Sequence, residues 1–300
     1  MGTVLEGLPR SGRVVVIRLR SLGDCVLTTP ALALLRRFRP DLRISVVVEP
    51  QWRAVFEGNP DIDEILPATW RAVRGARADL CLNFHGGRRS AWMTALSGAR
   101  YRAGFGHFRH RFAYNVRIPR AQEILNLDRT VHTAEHLASA MFYLGAPLTE
   151  IPRAHLAATE KLASAAVIHP VAATAAKTWP PDRFLAVARR LRDSHSNVVF
   201  IGGPGDDLSP FREFPALCGV PLAAIKNLLA AASLFVGNDS GPAHMAAAFG
   251  VPSVVIFGAS NPAIWGPWRT SAEVVTAPGG IGAVSVEQVL GALARLRVAA

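Results

Sequence analysis

The sequence predicts an α/β protein with two domains, because two series of short β-branched runs alternate with longer amphipathic segments. The first series lies in residues 1–150 and the second in residues 151–300. The segment 145–159 contains two prolines and is predicted to be the linker between them. A chain of 300 residues is long enough to bury the cores of two such domains.

Each element of the first domain follows from its local pattern. Residues 14–17 (VVVI) are predicted to form the first strand, which is followed by a helix near 26–38. Similar apolar runs predict strands at 44–48, 62–66 and 80–82. This order is typical of a parallel sheet flanked by helices.

The second domain repeats this order. Strands are predicted at 166–168, 198–201, 234–236 and 253–257, and helices near 182–193, 222–231 and 242–249. A final helix near 285–297 either caps this domain or ties the two domains together. We expect two such domains to bind ligands where the carboxyl ends of their strands face each other.

Composition excludes several other classes of protein. No run approaches the roughly 20 apolar residues that cross a bilayer, and the first dozen residues lack the apolar core of a secretory signal. We therefore expect a soluble cytoplasmic protein. The three cysteines, Cys25, Cys81 and Cys218, are too widely spaced to indicate a disulfide framework or a zinc site, and no metal site is expected.

The formal net charge of +11 is unevenly distributed along the chain. No acidic residue lies between Asp79 and Glu123, although eight arginines do: Arg88, Arg89, Arg100, Arg102, Arg109, Arg111, Arg117 and Arg120. Such a segment favours an anionic partner, whether a phosphorylated substrate, lipid headgroups or nucleic acid. The alternative is that these arginines are scattered, solvated surface residues.

Four polar insertions each follow a predicted strand, at the position where open α/β sheets place their ligands. The first runs from Arg18 to Asp24, with Gly23 permitting a tight turn before the helix. Asp24 either caps this helix or acts as a general base that removes a proton from a hydroxyl.

The second and third insertions contain candidate phosphate and ribose ligands. Residues 169–181 include Lys177, one of three lysines in a chain with thirty arginines. Its compact ammonium suits a phosphate oxygen, and the alternative is an exposed lysine near a helix start. Residues 202–207 combine glycines that allow close backbone approach with Asp206, which either meets a ribose hydroxyl or caps a turn.

The fourth insertion, residues 238–242 (NDSGP), lies between a strand and a helix that Pro242 is predicted to start. The N–H groups of the first helical turn and the helix dipole favour a phosphate there. His244 projects from the same edge and could donate to that phosphate, and the alternative is a half-buried histidine satisfied within the fold. Asp239 is expected to bond loop amides or a sugar hydroxyl.

Together, the four insertions resemble glycosyltransferase family 9, the ADP-heptose:lipopolysaccharide heptosyltransferases. The motifs that carry the resemblance are R-x-x-S-L-G-D at 18–24, H-P followed by K-x-W-P within 169–180, G-G-P-G at 202–205 and N-D-S-G-P-x-H at 238–244. The resemblance implies a GT-B fold, in which two Rossmann-like α/β domains with parallel sheets face an interdomain cleft. It also implies an acceptor-binding domain at 1–150, a nucleotide-sugar-binding domain at 151–300, and inverting, metal-independent transfer from ADP-L-glycero-β-D-manno-heptose.

The resemblance further implies roles for individual residues. Asp24 matches the catalytic base and Lys177 the lysine on the diphosphate. The implied donor-binding residues are Arg18, Gly23, Thr174, Gly203, Asp206, Asp239, Ser240, Gly241 and His244. Two departures bear on the donor: alanine fills 172, 173, 175 and 176, where relatives commonly have hydroxyl residues, and Asp206 stands where a longer acid often meets ribose.

The expected partners are an ADP-heptose donor and the anionic lipopolysaccharide inner core, with peripheral contact at the cytoplasmic face of the inner membrane. The arginines expected to hold the acceptor are Arg88, Arg89, Arg102, Arg109 and Arg111. No cofactor is expected apart from the ADP-sugar co-substrate, and no nucleic acid. Two alternatives stay open: a family member that uses another nucleotide-sugar or glycan acceptor, and a catalytically silent nucleotide-binding protein that docks nucleic acid.

Overall fold

A computed structural model of the chain describes residues 3–160, 162–193 and 197–296. The chain forms two compact units, Met1–Ala157 (unit 1) and Ala158–Ala300 (unit 2). The division falls within the proline-containing segment 145–159. Each unit contains one six-stranded sheet whose paired strands are all parallel.

Unit 1 contains six strands and five α-helices. The strands are β1 (Arg13–Ile17), β2 (Arg43–Val48), β3 (Glu64–Pro67), β4 (Leu80–Asn83), β5 (Tyr101–Phe105) and β6 (Val116–Ile118). The helices are α1 (Leu22–Phe38), α2 (Trp70–Gly75), α3 (Arg88–Leu96), α4 (Ala121–Leu125) and α5 (Thr133–Leu144). The strand order is β3-β2-β1-β4-β5-β6.

Unit 2 is built in the same way. The strands are β7 (Ala166–His169), β8 (Val198–Gly202), β9 (Ala216–Cys218), β10 (Leu234–Asn238), β11 (Ser253–Ile256) and β12 (Ala272–Val275). The helices are α6 (Pro181–Arg192), α7 (Leu222–Ala231), α8 (Gly241–Phe249), α9 (Pro262–Trp265) and α10 (Val286–Arg295). The strand order is β12-β11-β10-β7-β8-β9.

The two sheets share one strand order, in which the first strand of each unit lies beside the second on one side and the fourth on the other. The order therefore reverses between β1 and β4 in unit 1 and between β7 and β10 in unit 2. Open α/β sheets bind ligands at the carboxyl ends of the strands that flank such a reversal. Each unit has its own candidate position for a ligand.

The cores explain why polar groups collect at the strand ends. In unit 1, residues 14–17 of β1 are completely buried, and in unit 2 the core includes Phe200, Val236 and the indole of Trp179. Strands covered by helices on both faces have no room for unpaired polar side chains. Polar side chains that serve a ligand are therefore expected at the last strand residue or beyond it.

The prediction of a two-domain α/β protein with parallel sheets is confirmed. The final helix α10 packs against α6, β11 and β12, so it covers the sheet of unit 2. Within residues 3–160, 162–193 and 197–296, no helix is both long and apolar enough to span a bilayer.

The sequence reasoning missed several short strands and misplaced one. Strands β5, β6, β9 and β12 were not predicted, and β3 begins at Glu64 instead of residue 62. Strand β5 (YRAGF) and strand β6 (VRI) contain arginine and are too short to show a β-branched run. The arginine-rich segment is therefore part of the sheet of unit 1 and of helix α3.

Candidate active site

Polar side chains gather at the carboxyl edge of each sheet, beside the reversal of strand order. In unit 1, Arg18 follows β1 and the buried Asn83 ends β4. In unit 2, His169 ends β7 and the buried Asn238 ends β10. The equivalent strands of the two units thus present their polar groups at equivalent places.

Arg18 and Asp24 form an ion pair at the edge of unit 1. Arg18 Nη1 lies 3.3 Å from Asp24 Oδ1, and the two side chains are 6% and 25% exposed, respectively. Burial lowers the pKa of Arg18, and the negative charge of Asp24 opposes this change. The pair therefore presents a carboxylate to solvent with a buried guanidinium behind it.

Asp24 lies inside the first turn of α1, because the helix begins at Leu22 with Ser21 as its N-cap. Asp24 Oδ2 accepts hydrogen bonds from the Ser21 backbone N–H at 3.2 Å and from the Ser21 hydroxyl at 3.0 Å. The tight turn expected at Gly23 is wrong: Gly23 is a helical residue, since the Ser21 cap starts the helix before it. The helix-start contact and the Arg18 contact use different carboxylate oxygens.

Three histidines lie near the carboxyl ends of β4 and β5, and none was among the predicted site residues. His85 follows β4, His107 follows β5, and the ring of His136 in α5 stacks on Phe105 with centroids 4.1 Å apart. The His107 and His136 ring centroids are 5.4 Å apart. Burial lowers the pKa of His136 to about 4, with further lowering by His107 and Arg18. Isolated histidines carry no spacing signal, so only the fold could bring them together.

The predicted acceptor arginines divide into two groups. Arg89 forms an ion pair with Glu49, the residue after β2. Arg102 in β5 donates to two backbone carbonyls at 3.2 and 3.3 Å. The other three are exposed: Arg88, Arg109 and Arg111. Arg89 is exposed as well, so four of the five side chains lie on the surface and one of these four is held by an ion pair.

Lys177 and Asp239 form an ion pair at the edge of unit 2. Lys177 Nζ lies 3.0 Å from Asp239 Oδ2, and the side chains are 34% and 8% exposed, respectively. The Ser260 hydroxyl donates to the same carboxylate oxygen. The buried carboxylate is thus compensated by an ammonium and a hydroxyl and not by the loop amides that were one expectation; the other, a sugar hydroxyl, stays a prediction.

The position of Ser260 depends on a close approach of two loops. A Cβ at Gly258 would clash with the Ala176 carbonyl oxygen, so glycine lets the segment after β11 come close to the turn that carries Lys177. Sequence reasoning missed Ser260, although the rule that polar residues follow strands also applies to the end of β11.

Ser240 is the N-cap residue of α8, but its side chain does not cap the helix. Instead, Ser240 Oγ lies 3.0 Å from His169 Nδ1. His169 is 7% exposed, and burial lowers its pKa to about 4, opposed by the charge of Asp206. Helix α8 begins at Gly241, one residue before the predicted start. Its first-turn N–H groups are not covered by the Ser240 hydroxyl, and such groups favour an anion.

The other predicted donor-binding residues of unit 2 are His244, Thr174, Gly203 and Asp206. His244 in α8 is 5% exposed, and its ring centroid is 6.4 Å from that of Trp265. Thr174 is exposed at the start of the 3₁₀ turn. Asp206 Oδ2 accepts a hydrogen bond from the Gly203 N–H at 2.6 Å, so this contact closes the glycine loop on itself.

Asn238 holds the segment that carries Lys177 at both of its ends. Asn238 Oδ1 accepts from the Trp179 N–H at 3.0 Å, and Nδ2 donates to the Pro170 carbonyl at 2.9 Å. The Trp179 indole N–H donates to the Val284 carbonyl at 2.9 Å. The ammonium therefore sits on a loop that is anchored to the core.

Among the residues that the structure describes, no group of three or more His, Cys, Asp or Glu side chains is arranged to hold a metal ion.

Comparison with known proteins places the chain in a family. Residues 67–285 match the family model described as glycosyltransferase family 9 (heptosyltransferase). The chain is 26% identical to lipopolysaccharide heptosyltransferase 3 of Escherichia coli K12, over 83% of each protein.

Solved structures share the fold. The family 9 glycosyltransferase from Veillonella parvula has a TM-score of 0.83 and 24% identity, covering 96% of this chain and 98% of that one. The Escherichia coli heptosyltransferase WaaC with ADP has a TM-score of 0.80 and 18% identity, covering 95% and 99%. Because the family model matches well over half of the 300 residues, this chain belongs to glycosyltransferase family 9, the heptosyltransferase family, and is a glycosyltransferase.

Proposed function

We propose that this enzyme transfers heptose from ADP-L-glycero-β-D-manno-heptose to the lipopolysaccharide inner core, with inversion at the anomeric carbon and without a metal ion. One observation carries the proposal: each sheet edge holds an ion pair, and the more accessible partner is a carboxylate in unit 1 and an ammonium in unit 2. A carboxylate can deprotonate an alcohol, and an ammonium can bind a departing diphosphate. The names of the lipopolysaccharide heptosyltransferase relatives support the choice of sugar and acceptor.

On the acceptor side, Asp24 is the general base. It takes the proton of the acceptor hydroxyl while that oxygen attacks the anomeric carbon from the face opposite ADP, which inverts the configuration. Arg18 Nη1 contacts one carboxylate oxygen, Oδ1, at 3.3 Å and so holds the carboxylate in place from its buried side. Ser21 fixes its orientation through Oδ2.

On the donor side, negative charge grows on the β-phosphate as its bond to the sugar breaks. Lys177 and the first-turn N–H groups of α8 around Ser240 and Gly241 are fixed donors for that charge, joined by His244. Donors that are oriented before the reaction lower a barrier because they need no reorganisation. They supply the positive charge for which other transferases use a divalent cation. The WaaC structure with ADP supports an ADP-linked donor.

The acceptor is anionic and linked to lipid in this proposal. The exposed arginines Arg88, Arg109 and Arg111 attract it, and the attraction weakens as salt rises. We place the reaction at the cytoplasmic face of the inner membrane, where unit 1 meets the acceptor.

A transfer assay tests the proposal. The protein is incubated with ADP-heptose and a lipid-free inner-core saccharide in the presence of EDTA, and the product is identified by mass spectrometry and NMR. We expect ADP release matched by a heptosylated product with inverted anomeric configuration. Transfer from another nucleotide-sugar only, retained configuration, or loss of turnover in EDTA would each contradict the corresponding part of the proposal.

A further inference from the structure

Three large apolar side chains lie exposed together on unit 1. Trp92 of α3 is 53% exposed and Phe112 is 57% exposed, and their ring centroids are 5.1 Å apart. Leu96, one helical turn after Trp92, is 47% exposed. We call these three residues the aromatic surface. Contiguous exposed apolar groups are typical of surfaces that contact a protein or a membrane.

The aromatic surface rests on a packed foundation. Ala91 of α3 forms a buried cluster with Ala113 and Tyr114, which follow Phe112 in the chain. Ala95 and Phe108 pack against this cluster. The backbone of α3 is therefore held against the loop that carries Phe112, and the exposed rings project from ordered structure.

Positive charge surrounds the aromatic surface. Arg88 lies one turn before Trp92 on α3, and Arg109 and Arg111 lie beside Phe112 in the chain. All three are exposed, and none forms an ion pair within the described part of the chain. An apolar centre with a cationic rim is the pattern of a surface that enters the interfacial region of an anionic bilayer.

We propose that the aromatic surface docks this protein on an anionic phospholipid bilayer. Trp92, Leu96 and Phe112 enter the headgroup–acyl boundary, and the three arginines contact lipid phosphates. A bilayer fits better than nucleic acid, because the aliphatic Leu96 has no ring face on which a base could stack.

The position of α3 gives this docking a purpose that rests on the proposed function. Helix α3 starts directly after the loop that follows β4, at the sheet edge that carries Asp24. Docking through α3 therefore brings unit 1, which carries the general base, to the bilayer that holds a lipid-linked acceptor.

Sedimentation with vesicles of phosphatidylethanolamine and phosphatidylglycerol tests the proposal. We expect the full-length protein to bind these vesicles. The double variant Trp92→Ser/Phe112→Ser should bind at least about tenfold more weakly, since it lacks the two aromatic side chains that enter the bilayer. Arg109→Gln should weaken binding about fivefold, with a reduced dependence on salt. Trp92→Tyr, which keeps an interfacial aromatic ring, should retain most of the binding.

The matched control is Leu148→Ser. Leu148 is 70% exposed but follows the C-terminal end of α5, a helix that packs mainly against α1. We expect this variant to bind vesicles like the unaltered protein.

Turnover with the lipid-free saccharide separates docking from catalysis. The double variant should retain it, because neither Trp92 nor Phe112 is among the residues predicted to bind the donor or the acceptor. Vesicle binding by the double variant equal to that of the unaltered protein, equal losses in Leu148→Ser, or binding of DNA but not of vesicles would overturn the proposal. Vesicle binding without any transfer from ADP-heptose would instead refute the proposed function and leave the docking surface standing.

Discussion

The two sheets have the same strand order, yet the ion pairs at their carboxyl edges are reversed. In unit 1 the buried partner is the cation Arg18, and the accessible partner is the carboxylate of Asp24. In unit 2 the buried partner is the carboxylate of Asp239, and the accessible partner is the ammonium of Lys177. The same fold thus leaves a carboxylate accessible at the edge of unit 1 and an ammonium accessible at the edge of unit 2. In each pair, the buried side chain carries the charge opposite to that of the accessible one.

A second difference concerns the asparagines that end β4 and β10. Both are completely buried. Asn83 accepts from the N–H groups of residues 85 and 86 in its own loop, at 2.9 Å each. Asn238 instead binds the neighbouring loop, which carries Lys177. Unit 2 therefore fixes its ligand loop through the sheet, whereas the asparagine of unit 1 braces its own turn and donates to the Thr94 hydroxyl of α3 at 2.9 Å.

The largest expected effect is the loss of the base. Asp24→Asn keeps the shape of the side chain and the Ser21 contact but removes the proton acceptor, so kcat should fall by about 10²–10⁴. Steady-state transfer at saturating donor and acceptor measures it. Asp41→Asn is the matched control, because Asp41 is 27% exposed and paired with Arg39 away from this edge. Undiminished turnover in Asp24→Asn would reject the base assignment.

Removing the cation of unit 2 should have the next largest effect. Lys177→Ala deletes one charged donor to the departing diphosphate and leaves Asp239 buried without its ammonium, so kcat should fall about 10²–10³-fold. Lys177→Arg keeps the charge and should recover part of that loss. ADP affinity measured by calorimetry should weaken in Lys177→Ala. An alanine variant with normal kcat and ADP affinity would remove Lys177 from the donor site.

The two asparagines should differ in stability. Asn238→Ala strands the buried Trp179 N–H and the Pro170 carbonyl, which should lower the free energy of unfolding by about 2–4 kcal/mol. Asn83→Ala removes a bond to the Thr94 hydroxyl, which keeps its own bond to the Ser90 carbonyl, and leaves two N–H groups without a partner in a partly exposed loop that water can reach, so the expected cost is about 1–2 kcal/mol. Urea unfolding compares the two variants. Equal costs would show that the brace between the loops adds nothing.

The smallest expected effect is a dependence of stability on pH. Burial lowers the pKa of His169 to about 4, below the ordinary value near 6.5. As the pH falls, the unfolded chain therefore binds a proton at this histidine before the folded chain does. The contribution of neutral, buried His169 to the free energy of unfolding is complete above pH 6.5 and is lost as the pH falls towards 4. At pH 5.5 this loss is about 1 kcal/mol.

Urea unfolding at pH 7.5 and pH 5.5 checks this expectation. His169→Asn should be less sensitive to acid than the unaltered protein, by about 1 kcal/mol between the two pH values. His136→Asn is the counterpart in unit 1, where burial also lowers the histidine pKa to about 4. If His169→Asn loses stability on acidification as steeply as the unaltered protein does, His169 does not titrate as its burial indicates.

Local pattern was sufficient wherever a single segment carried the signal. The run at 14–17, the strand before Asp239 and the helix of the fourth insertion were predicted close to their observed bounds, since each combines an apolar run with a turn or cap residue. Strands β5 and β6 were missed, because their arginines hide a short apolar pattern. The catalytic and binding roles of the motif residues stay predictions that the experiments above address.

The sequence by itself determined the α/β class, the two repeats and the polar residues that follow their strands, because hydrophobic periodicity and strand ends are local properties of a chain. Only the tertiary structure decided that Lys177 is held by Asp239 and Ser260, that Ser240 contacts His169, and that Trp92 meets Phe112. These contacts join residues far apart in the chain, and which side chain is buried and which stays accessible depends on how the strands and loops pack around them.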